Sequence, residues 1–420
     1  MEAQVTVFVF LNGGWVPAGR LKYFSRGRQS YSVFAYGKKY LEDPEAVSLD
    51  PVQLPLGSGE FHTPDGFEIF NGIRDAGADQ WGRYLIDKRF SSTDELDYIL
   101  ATSCDRVGAL AFGDDPAQGP KIFSPQGFEP LSHRRFDLGK AAGAIHGVIE
   151  DEDTEELKDF LQYGPSLGGT RPKTTVNWQG KPYIAKFSVS HDRRNEPLIE
   201  YATMTLTKKC GINVPALDKA RVLDRDVFLI QRFDRRYNSK TQTEEPVPFI
   251  SALTATGVHE SDLKSFSYRR LCDAITKLCK EPDKDKEELY RRMVFNILVY
   301  NNDDHYRNHG LLYAGKQKWE LSPLYDVVPA AVVGESRHLG CAIGPGGNKE
   351  ATLENAMTSC SYFGLEQVQA RQIITSLKSI VGKWQTHFNK CGVPETDIEK
   401  LKNSLGLMIL PDVGINRRGQ

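Results

Sequence analysis

A polar run, YNNDDHYRNHGLL from Tyr300 to Leu312, constrains the fold of this chain more than any other feature of its sequence. Asparagine, aspartate, arginine and histidine side chains are packed together here, between the apolar run MVFNILVY and the segment GLLY. Polar groups are costly to bury between apolar segments unless a partner satisfies them. The run therefore needs a partner, which is a metal ion, a phosphate group or the surrounding protein.

The spacing within this run is that of a phosphotransferase loop. Asp303 and Asn308 form D-x-x-x-x-N, in which the aspartate accepts a substrate hydroxyl proton and the asparagine holds Mg²⁺. Asp304 stands one residue short of this interval, so Asp303 is predicted to be the catalytic base. Downstream, Asp326 follows the half-apolar run WELSPLY and precedes VVPA, where a metal-binding aspartate is expected. Hard oxygen ligands of this type suit Mg²⁺.

The upstream sequence supplies candidates for binding a nucleotide. Lys186 ends the strand-like segment KPYIAKF, in the manner of the lysine in V-A-I-K, and is predicted to bind phosphates. Glu200 lies in the following helix and could pair with this lysine. Gly168 and Gly169 belong to the glycine-rich segment SLGGTRPK, whose backbone N–H groups could cradle phosphates. This segment is neither a Walker A motif nor G-x-G-x-x-G, and taken by itself it favours a plain turn.

A metal hydrolase is the rival interpretation of the polar run. His305 and His309 have the spacing H-x-x-x-H and could bind zinc from one face of a helix. The general-base glutamate of H-E-x-x-H is missing, because Tyr306 occupies its place. The sequence therefore favours the phosphotransferase over zinc.

The order of the predicted elements indicates an α+β protein with a protein-kinase-like, two-lobed fold. Strand patterns come first, and helices predominate after Phe249. Between them lie two hairpins, the first turning around Gln179-Gly180, on either side of a helix that ends near Gly211. The Pro- and Gly-rich segment from Gly113 to Pro130 is expected to be a linker. The expected units are a β-rich N-terminal subdomain (1–115), a linker with a connecting helix (116–145), a nucleotide-binding lobe (146–248) and a helical lobe with the catalytic loop (249–420).

Composition restricts the setting in which the chain works. Its formal net charge is −2, so contact with DNA would need a local patch or a partner protein. The seven cysteines are scattered without a C-x-x-C pair, which fits a reducing cytosol better than a disulfide framework or a zinc ribbon. Without a membrane-length apolar run or the basic start of a signal peptide, a cytoplasmic location with no membrane contact is expected.

Several motifs together resemble the HipA family of serine/threonine kinases, the toxins of bacterial toxin–antitoxin modules. The resemblance is carried by SLGGTRPKTTV, IAKF, EYATMTLTKKCGINVP, QRFDRR, NNDDHYRNHGLL and LSPLYDVVP, which occur in the family's order. RDAGADQWGRYLI and DRVGALAFG are similar to the family's N-terminal subdomain. The match runs roughly from Val5 to Lys390.

The resemblance implies roles for particular residues. The implied roles are Asp303 as base, Asn308 and Asp326 as Mg²⁺ ligands, Lys186 at the phosphates, His305 near the nucleotide, and Gln231 to Phe233 as the hinge that carries adenine. Many family members have glutamate at the position of Gln231. Ser166 would be autophosphorylated, and its added charge would then drive the loop away from the ATP phosphates toward Arg171 and Lys173.

The resemblance also implies a function. The chain would be an ATP- and Mg²⁺-dependent protein kinase acting as a toxin, with an aminoacyl-tRNA synthetase as its target. A small helix-turn-helix antitoxin of the HipB kind would neutralise it and would supply most of the DNA contacts. The alternatives are a non-catalytic kinase-fold subunit of a repressor complex and a small-molecule kinase. The presence of Asp303, Asn308, Asp326 and Lys186 argues against the non-catalytic subunit.

Overall fold

The computed structural model describes most of the chain. The described ranges are 2–26, 29–88, 90, 93–102, 105–124, 127–130, 137–150, 171–189, 192–240, 242–330 and 337–405.

The N-terminal unit is an antiparallel sheet with short helices on one side. Its strands are β1 (Glu2–Leu11), β2 (Gly14–Arg26), β3 (Gln29–Tyr36), β4 (Phe61–His62), β5 (Leu110–Gly113), β6 (Lys121–Ser124) and β7 (Gly127–Pro130). Its helices are α1 (Lys38–Leu41), α2 (Asn71–Arg74), α3 (Gln80–Asp87) and α4 (Glu95–Leu100). The strand order is β4-β3-β2-β1-β5-β6-β7. Val5, Val7 and Val9 alternate along β1 and join one buried cluster with Phe70 and Ile73.

The composition of the segment from Gly113 to Pro130 predicted a linker, and this prediction is wrong. The segment contains β6 and β7, which extend the N-terminal sheet through β5. The positive φ angles of Gly119 (78°) and Gly127 (110°) explain the glycines, because few other residues adopt that conformation at low cost. Pro130 stands at the end of the edge strand, where a missing N–H donor is tolerated.

The next unit is a four-stranded sheet with one helix at each face. Its elements are α5 (Leu138–Glu150), β8 (Lys173–Trp178), β9 (Lys181–Phe187), α6 (Glu196–Lys209), β10 (Leu217–Val222) and β11 (Arg225–Gln231). The strand order is β10-β11-β9-β8. Gln179 and Gly180 have φ angles of 52° and 76°, as a two-residue hairpin turn requires. That turn fixes the β8–β9 register and therefore which side chains face each other.

The C-terminal part combines a two-stranded sheet and a three-stranded sheet with a helical core. Its strands are β12 (Arg235–Asn238), β13 (Thr243–Pro246), β14 (Phe249–Ser251), β15 (Gly310–Gly315) and β16 (Lys318–Leu321). The strand orders are β12-β13 and β14-β15-β16. Its helices are α7 (Ala252–Thr256), α8 (Tyr268–Leu278), α9 (Pro282–Val299), α10 (Leu353–Thr358), α11 (Gln367–Val381), α12 (Trp384–Cys391) and α13 (Glu395–Leu405). Helix α9 is apolar around its circumference from Met293 to Val299 and is buried there, as a central core helix should be. Its end delivers the polar run into the protein.

Two further observations concern the described residues as a whole. Among them, no helix combines the length and the apolar character that crossing a membrane requires. The described cysteines 210, 272, 279, 341, 360 and 391 are all buried free thiols.

Candidate active site

The polar run forms a loop between α9 and β15. Tyr300 ends α9 in the left-handed conformation, with φ of 55°, and turns the chain out of the helix. A 3₁₀ turn spans Tyr306–Asn308. Within the loop, Nδ2 of Asn308 donates to the carbonyl oxygen of Asp303 at 2.8 Å. This bond fixes the orientation of the Asn308 amide, so that Oδ1 is its atom available as a hard oxygen ligand.

The two neighbouring aspartates have opposite environments. The side chain of Asp303 is 83% exposed, whereas that of Asp304 is 2% exposed. Asp304 accepts from Nε2 of His309 at 2.8 Å and from the hydroxyl of Tyr268. Asp304 and His309 of the polar run are therefore paired within the protein itself. Asp303 is left exposed on the loop.

The geometry does not support a zinc site built from the two histidines. The described residues that could jointly ligate a metal are Asp304, His309 and Cys341, whose candidate atoms lie within 4.8 Å of one another. His305 is not part of this group. Both Asp304 oxygens already accept hydrogen bonds, from His309 and Tyr268, although Nδ1 of His309 is buried and makes no hydrogen bond to any described residue.

Lys186 lies between the carboxylates of Glu200 and Asp326. The space around these three side chains is called the cleft below. Nζ of Lys186 lies 2.6 Å from Oε1 of Glu200 and also forms an ion pair with Asp326. Strand β9 carries the lysine, helix α6 carries the glutamate, and the segment after β16 carries the aspartate. Asp326 has a φ of 55°, a conformation that costs a non-glycine residue free energy and is concentrated at functional sites.

The charges in this cleft shift one another's ionisation. Burial would lower the pKa of Lys186, but Asp326 and Glu200 raise it instead, so that the ammonium stays charged. Burial would raise the pKa of Asp326, but Lys186 and Lys173 hold it below its ordinary value. Desolvation, with the Asp326 and Asp304 carboxylates, raises the pKa of Asp303, while His305 acts in the opposite direction. Asp303 and Asp326 are thus close enough to repel each other.

A second lysine, Lys173, belongs to this cleft and was missed as a site residue. It lies directly opposite Lys186 in the β8–β9 register, and its side chain is 5% exposed. Its Nζ lies 3.4 Å from Oδ2 of Asp79, which the N-terminal unit contributes. The Gln179-Gly180 turn was recognised in the sequence, and counting back from it pairs the two lysines.

The predicted hinge follows β11, and most of it has other partners. The backbone N–H of Gln231 donates to the carbonyl of Ala216 at 2.8 Å, and that of Arg232 donates to Pro182 at 3.0 Å. The ring of Phe233 lies 5.4 Å from that of Tyr325, which directly precedes Asp326. The ring of Phe233 therefore packs against the residue that precedes Asp326, while the backbone N–H of Gln231 is already paired with Ala216.

Three predicted site residues cannot be placed. Ser166, Gly168 and Gly169 lie outside the described residues. The structure describes the chain again from Arg171, whose guanidinium pairs with Asp192 at 2.5 Å. The cleft thus assembles Lys186, Glu200 and Asp326 with the loop of Asp303, His305 and Asn308.

Comparisons with known proteins give this arrangement a context. A model of the family described as the HipA-like C-terminal domain matches residues 165–384, more than half of the chain. A putative kinase of Haemophilus influenzae is 28% identical over 231 residues, which are 48% of this chain and 66% of that protein. The serine/threonine-protein kinase toxin HipA of Shewanella oneidensis is 26% identical over 189 residues, or 39% of this chain and 42% of the toxin. The chain spans just under two thirds of the first relative and less than half of the second.

A solved structure extends the likeness to nearly the whole chain. HipA in the Shewanella oneidensis MR-1 toxin–antitoxin complex with HipB and operator DNA superposes with a TM-score of 0.65. The two chains are 18% identical, and the superposition covers 96% of each. The expected fold class, α+β with a HipA-like, two-lobed architecture, is confirmed.

Proposed function

Because this chain belongs to the HipA family, we propose that it is an ATP- and Mg²⁺-dependent protein serine/threonine kinase. The observation that carries the proposal is the contact of Lys186 with both Glu200 and Asp326. In protein kinases a strand lysine paired with a helix glutamate, and an aspartate that holds Mg²⁺, must both be in place for phosphoryl transfer. The loop of Asp303 and Asn308 supplies the remaining parts.

Asp303 is the base in this proposal. Its exposed carboxylate can be reached by a hydroxyl on a protein substrate, and its neighbours hold the backbone around it in place. The raised pKa of Asp303 makes it a better proton acceptor than an unperturbed aspartate. Nε2 of His305 lies 3.7 Å from Oδ1 of Asp303, and in this proposal His305 would also lie near the nucleotide.

Asn308 and Asp326 would hold Mg²⁺. An amide oxygen and a carboxylate fit this ion, which binds few protein ligands and takes its other oxygens from substrate phosphates and water. Bound there, Mg²⁺ would neutralise charge on the transferred phosphoryl group. Asp326 contacts Lys186, and this ion pair keeps the carboxylate within the cleft.

Lys186 and Glu200 would position the ATP phosphates, and the segment after β11 would carry adenine. Among the hinge residues we assign the adenine contact to Phe233 rather than to the backbone N–H of Gln231, which already has a partner. Gly168 and Gly169 would cradle phosphates, and Ser166 would be the autophosphorylated serine. These three assignments rest on the sequence and on the family.

The cellular role in this proposal is that of a toxin. The Shewanella HipA structure contains HipB and operator DNA, and the present chain has the same fold. A net charge of −2 fits a protein that reaches DNA through a helix-turn-helix antitoxin rather than by itself. The substrate would be a protein of translation, such as an aminoacyl-tRNA synthetase, and the location would be cytoplasmic.

Labelled ATP incubated with a cell lysate and the purified protein tests the proposal. Beyond the label that the lysate acquires alone, we expect label on the added protein itself and on one further protein band, and neither when Asp303→Asn replaces the wild type. Label confined to small molecules would favour a small-molecule kinase, and no transfer by the wild type would favour a non-catalytic subunit. Tightly bound zinc in the purified protein would contradict the Mg²⁺ assignment.

A further inference from the structure

The N-terminal unit reaches into the cleft through the start of helix α3. Oδ1 of Asp79 accepts from the backbone N–H of Gly82 at 2.7 Å and caps the helix. Oδ2 of the same carboxylate is buried, makes no hydrogen bond to any described residue, and faces Nζ of Lys173 at 3.4 Å. One side chain therefore serves both the helix of one unit and the lysine of another.

The pairing answers an electrostatic difficulty within the hairpin. Lys173 and Lys186 lie directly opposite each other on β8 and β9, and like charges in that relation destabilise a sheet. Glu200 and Asp326 contact Lys186, and Asp79 contacts Lys173. Without Asp79, the nearly buried ammonium of Lys173 would have no direct carboxylate partner among the described residues. Burial without such a partner disfavours the charged form of the lysine.

The Lys173–Asp79 pair leaves the ammonium with bonding capacity. A distance of 3.4 Å exceeds the 2.7–2.9 Å that is typical of a charge-assisted hydrogen bond. A lysine has three N–H donors and can share them among several anions. Since Lys173 stands beside Lys186, a triphosphate bound at Lys186 would lie within its reach.

The same segment of the N-terminal unit also reaches the catalytic loop. Arg74 pairs with Glu260 at 2.6 Å, and Glu260 accepts from Arg307 at 2.5 and 2.8 Å. Arg307 lies between His305 and Asn308 in the catalytic loop. Trp81 of α3 packs in one buried cluster with side chains of β8 and β9. Residues 74–87 are therefore held against both the loop of Arg307 and the β8–β9 hairpin.

We propose that Asp79 is a positioning residue of the nucleotide site, which holds Lys173 where it contacts the triphosphate of ATP. The inference rests on the proposed kinase function and extends it, because it makes the N-terminal unit a contributor to nucleotide affinity. Lys173 is then a second phosphate-binding lysine, and Asp79 acts through it without touching the nucleotide.

The substitution Asp79→Asn separates the two tasks of this side chain. Asparagine caps a helix about as well as aspartate, so α3 keeps its cap and loses only the negative charge. We expect the Kd for ATP, measured by calorimetry on the full-length chain, to rise on the order of tenfold. The matched control is Asp94→Asn, which alters the cap of α4 outside the cleft and should leave the Kd unchanged.

A double-variant cycle tests whether Asp79 acts through Lys173. Lys173→Met should weaken ATP binding at least as much as Asp79→Asn, and the double variant should be no weaker than Lys173→Met alone. Circular dichroism establishes that each variant is folded. This inference alone would be overturned if Asp79→Asn weakened ATP binding equally in the wild type and in Lys173→Met. Normal ATP binding by Asp79→Asn would also overturn it. Failure of the wild type to bind ATP would overturn the proposed kinase function as well.

Discussion

Nζ of Lys186 on strand β9 lies 2.6 Å from Oε1 of Glu200 on helix α6, and both side chains are largely buried. The pair links the sheet that would hold the phosphates to the helix behind it. Asp326 contacts the same ammonium, so the position of the lysine depends on two carboxylates at once. Removing one of them should shift Lys186 toward the other.

We expect Glu200→Gln to slow phosphoryl transfer on the order of 10²-fold, because small misplacements of a positioning group have large effects on rate. Lys186 would then pair with Asp326 alone, and that carboxylate would be less available for Mg²⁺. Initial rates at saturating Mg-ATP measure the effect. The control is Glu399→Gln, which removes an exposed ion pair with Lys402 on α13. A normal rate for Glu200→Gln would contradict the role given to this pair.

The two adjacent aspartates should respond differently to the same substitution. Asp303→Asn should leave thermal stability almost unchanged, because its side chain is 83% exposed, and should reduce phosphoryl transfer by about 10²–10⁴-fold. Asp304→Asn should destabilise the protein by about 1–3 kcal/mol, because it removes the buried carboxylate that accepts from both His309 and Tyr268. Melting curves and transfer assays on both variants separate the effects. If growth arrest on overexpression, shown first for the wild type, persisted undiminished in Asp303→Asn, a kinase toxin would be ruled out.

Gly340 lies against the backbone of the loop that contains Asp303 and Asn308, which makes the position sensitive to any added side chain. A Cβ atom there would lie 2.5 Å from the carbonyl oxygen of Asp304 and 3.5 Å from the backbone nitrogen of His305. We expect Gly340→Ala to cost about 1–3 kcal/mol in unfolding free energy and to reduce activity, because the loop must move. Denaturant unfolding and transfer rates provide the measurement.

The control for this substitution is Gly143→Ala in helix α5. A Cβ at Gly143 would meet no atom within 4 Å, and alanine in a helix interior is more stable than glycine by about 0.5–1 kcal/mol. The two alanine substitutions should therefore have opposite signs. Equal effects would mean that the close approach at Gly340 is not important.

The ion pairs of Glu260 should make stability depend on pH. Burial would raise the pKa of Glu260, but Arg307 and Arg74 lower it to about 2. A lowered carboxyl pKa contributes stability above the unfolded value of about 4.3, and this contribution is lost as the pH falls from there toward 2.

Glu260→Gln should therefore be less stable than the wild type at pH 7, and the difference should shrink as the pH falls below about 4. The side chain is 38% exposed, so we expect a difference of at most about 1 kcal/mol. Urea unfolding of both proteins at pH 7, 4 and 3 measures it. A difference that grew toward low pH would refute the assigned sign.

Local patterns predicted the parts of the site that lie close together in sequence. The spacing of Asp303 and Asn308 could be recognised because both residues lie in one loop. The hairpin turn at Gln179 and Gly180 could be predicted from its residue types. The pairing of Lys186 with Glu200 was anticipated because a single connection separates strand from helix, and the structure places them in contact.

Contacts between distant segments were not predictable in this way. β6 and β7 look like a linker because short strands rich in Gly and Pro have weak local signals, and only their pairing with the N-terminal sheet makes them strands. Asp79 has the residue type of a helix cap, and nothing in the local sequence connects it to Lys173. Such long-range ion pairs depend on how the units dock.

Arg232 shows where the chain cannot be divided. Its guanidinium is 1% exposed and donates to the side chain and carbonyl oxygen of Asp105 and to the carbonyl oxygen of Arg106, all in the N-terminal unit. Residues 165–384, which match the family model, include Arg232 and exclude those acceptors. A fragment cut to these limits would retain a buried cation without part of its acceptors, at a cost of several kcal/mol. Residues 165–384 alone therefore lack acceptors that Arg232 uses in the folded protein, and we expect this segment to need the N-terminal unit supplied as a second chain.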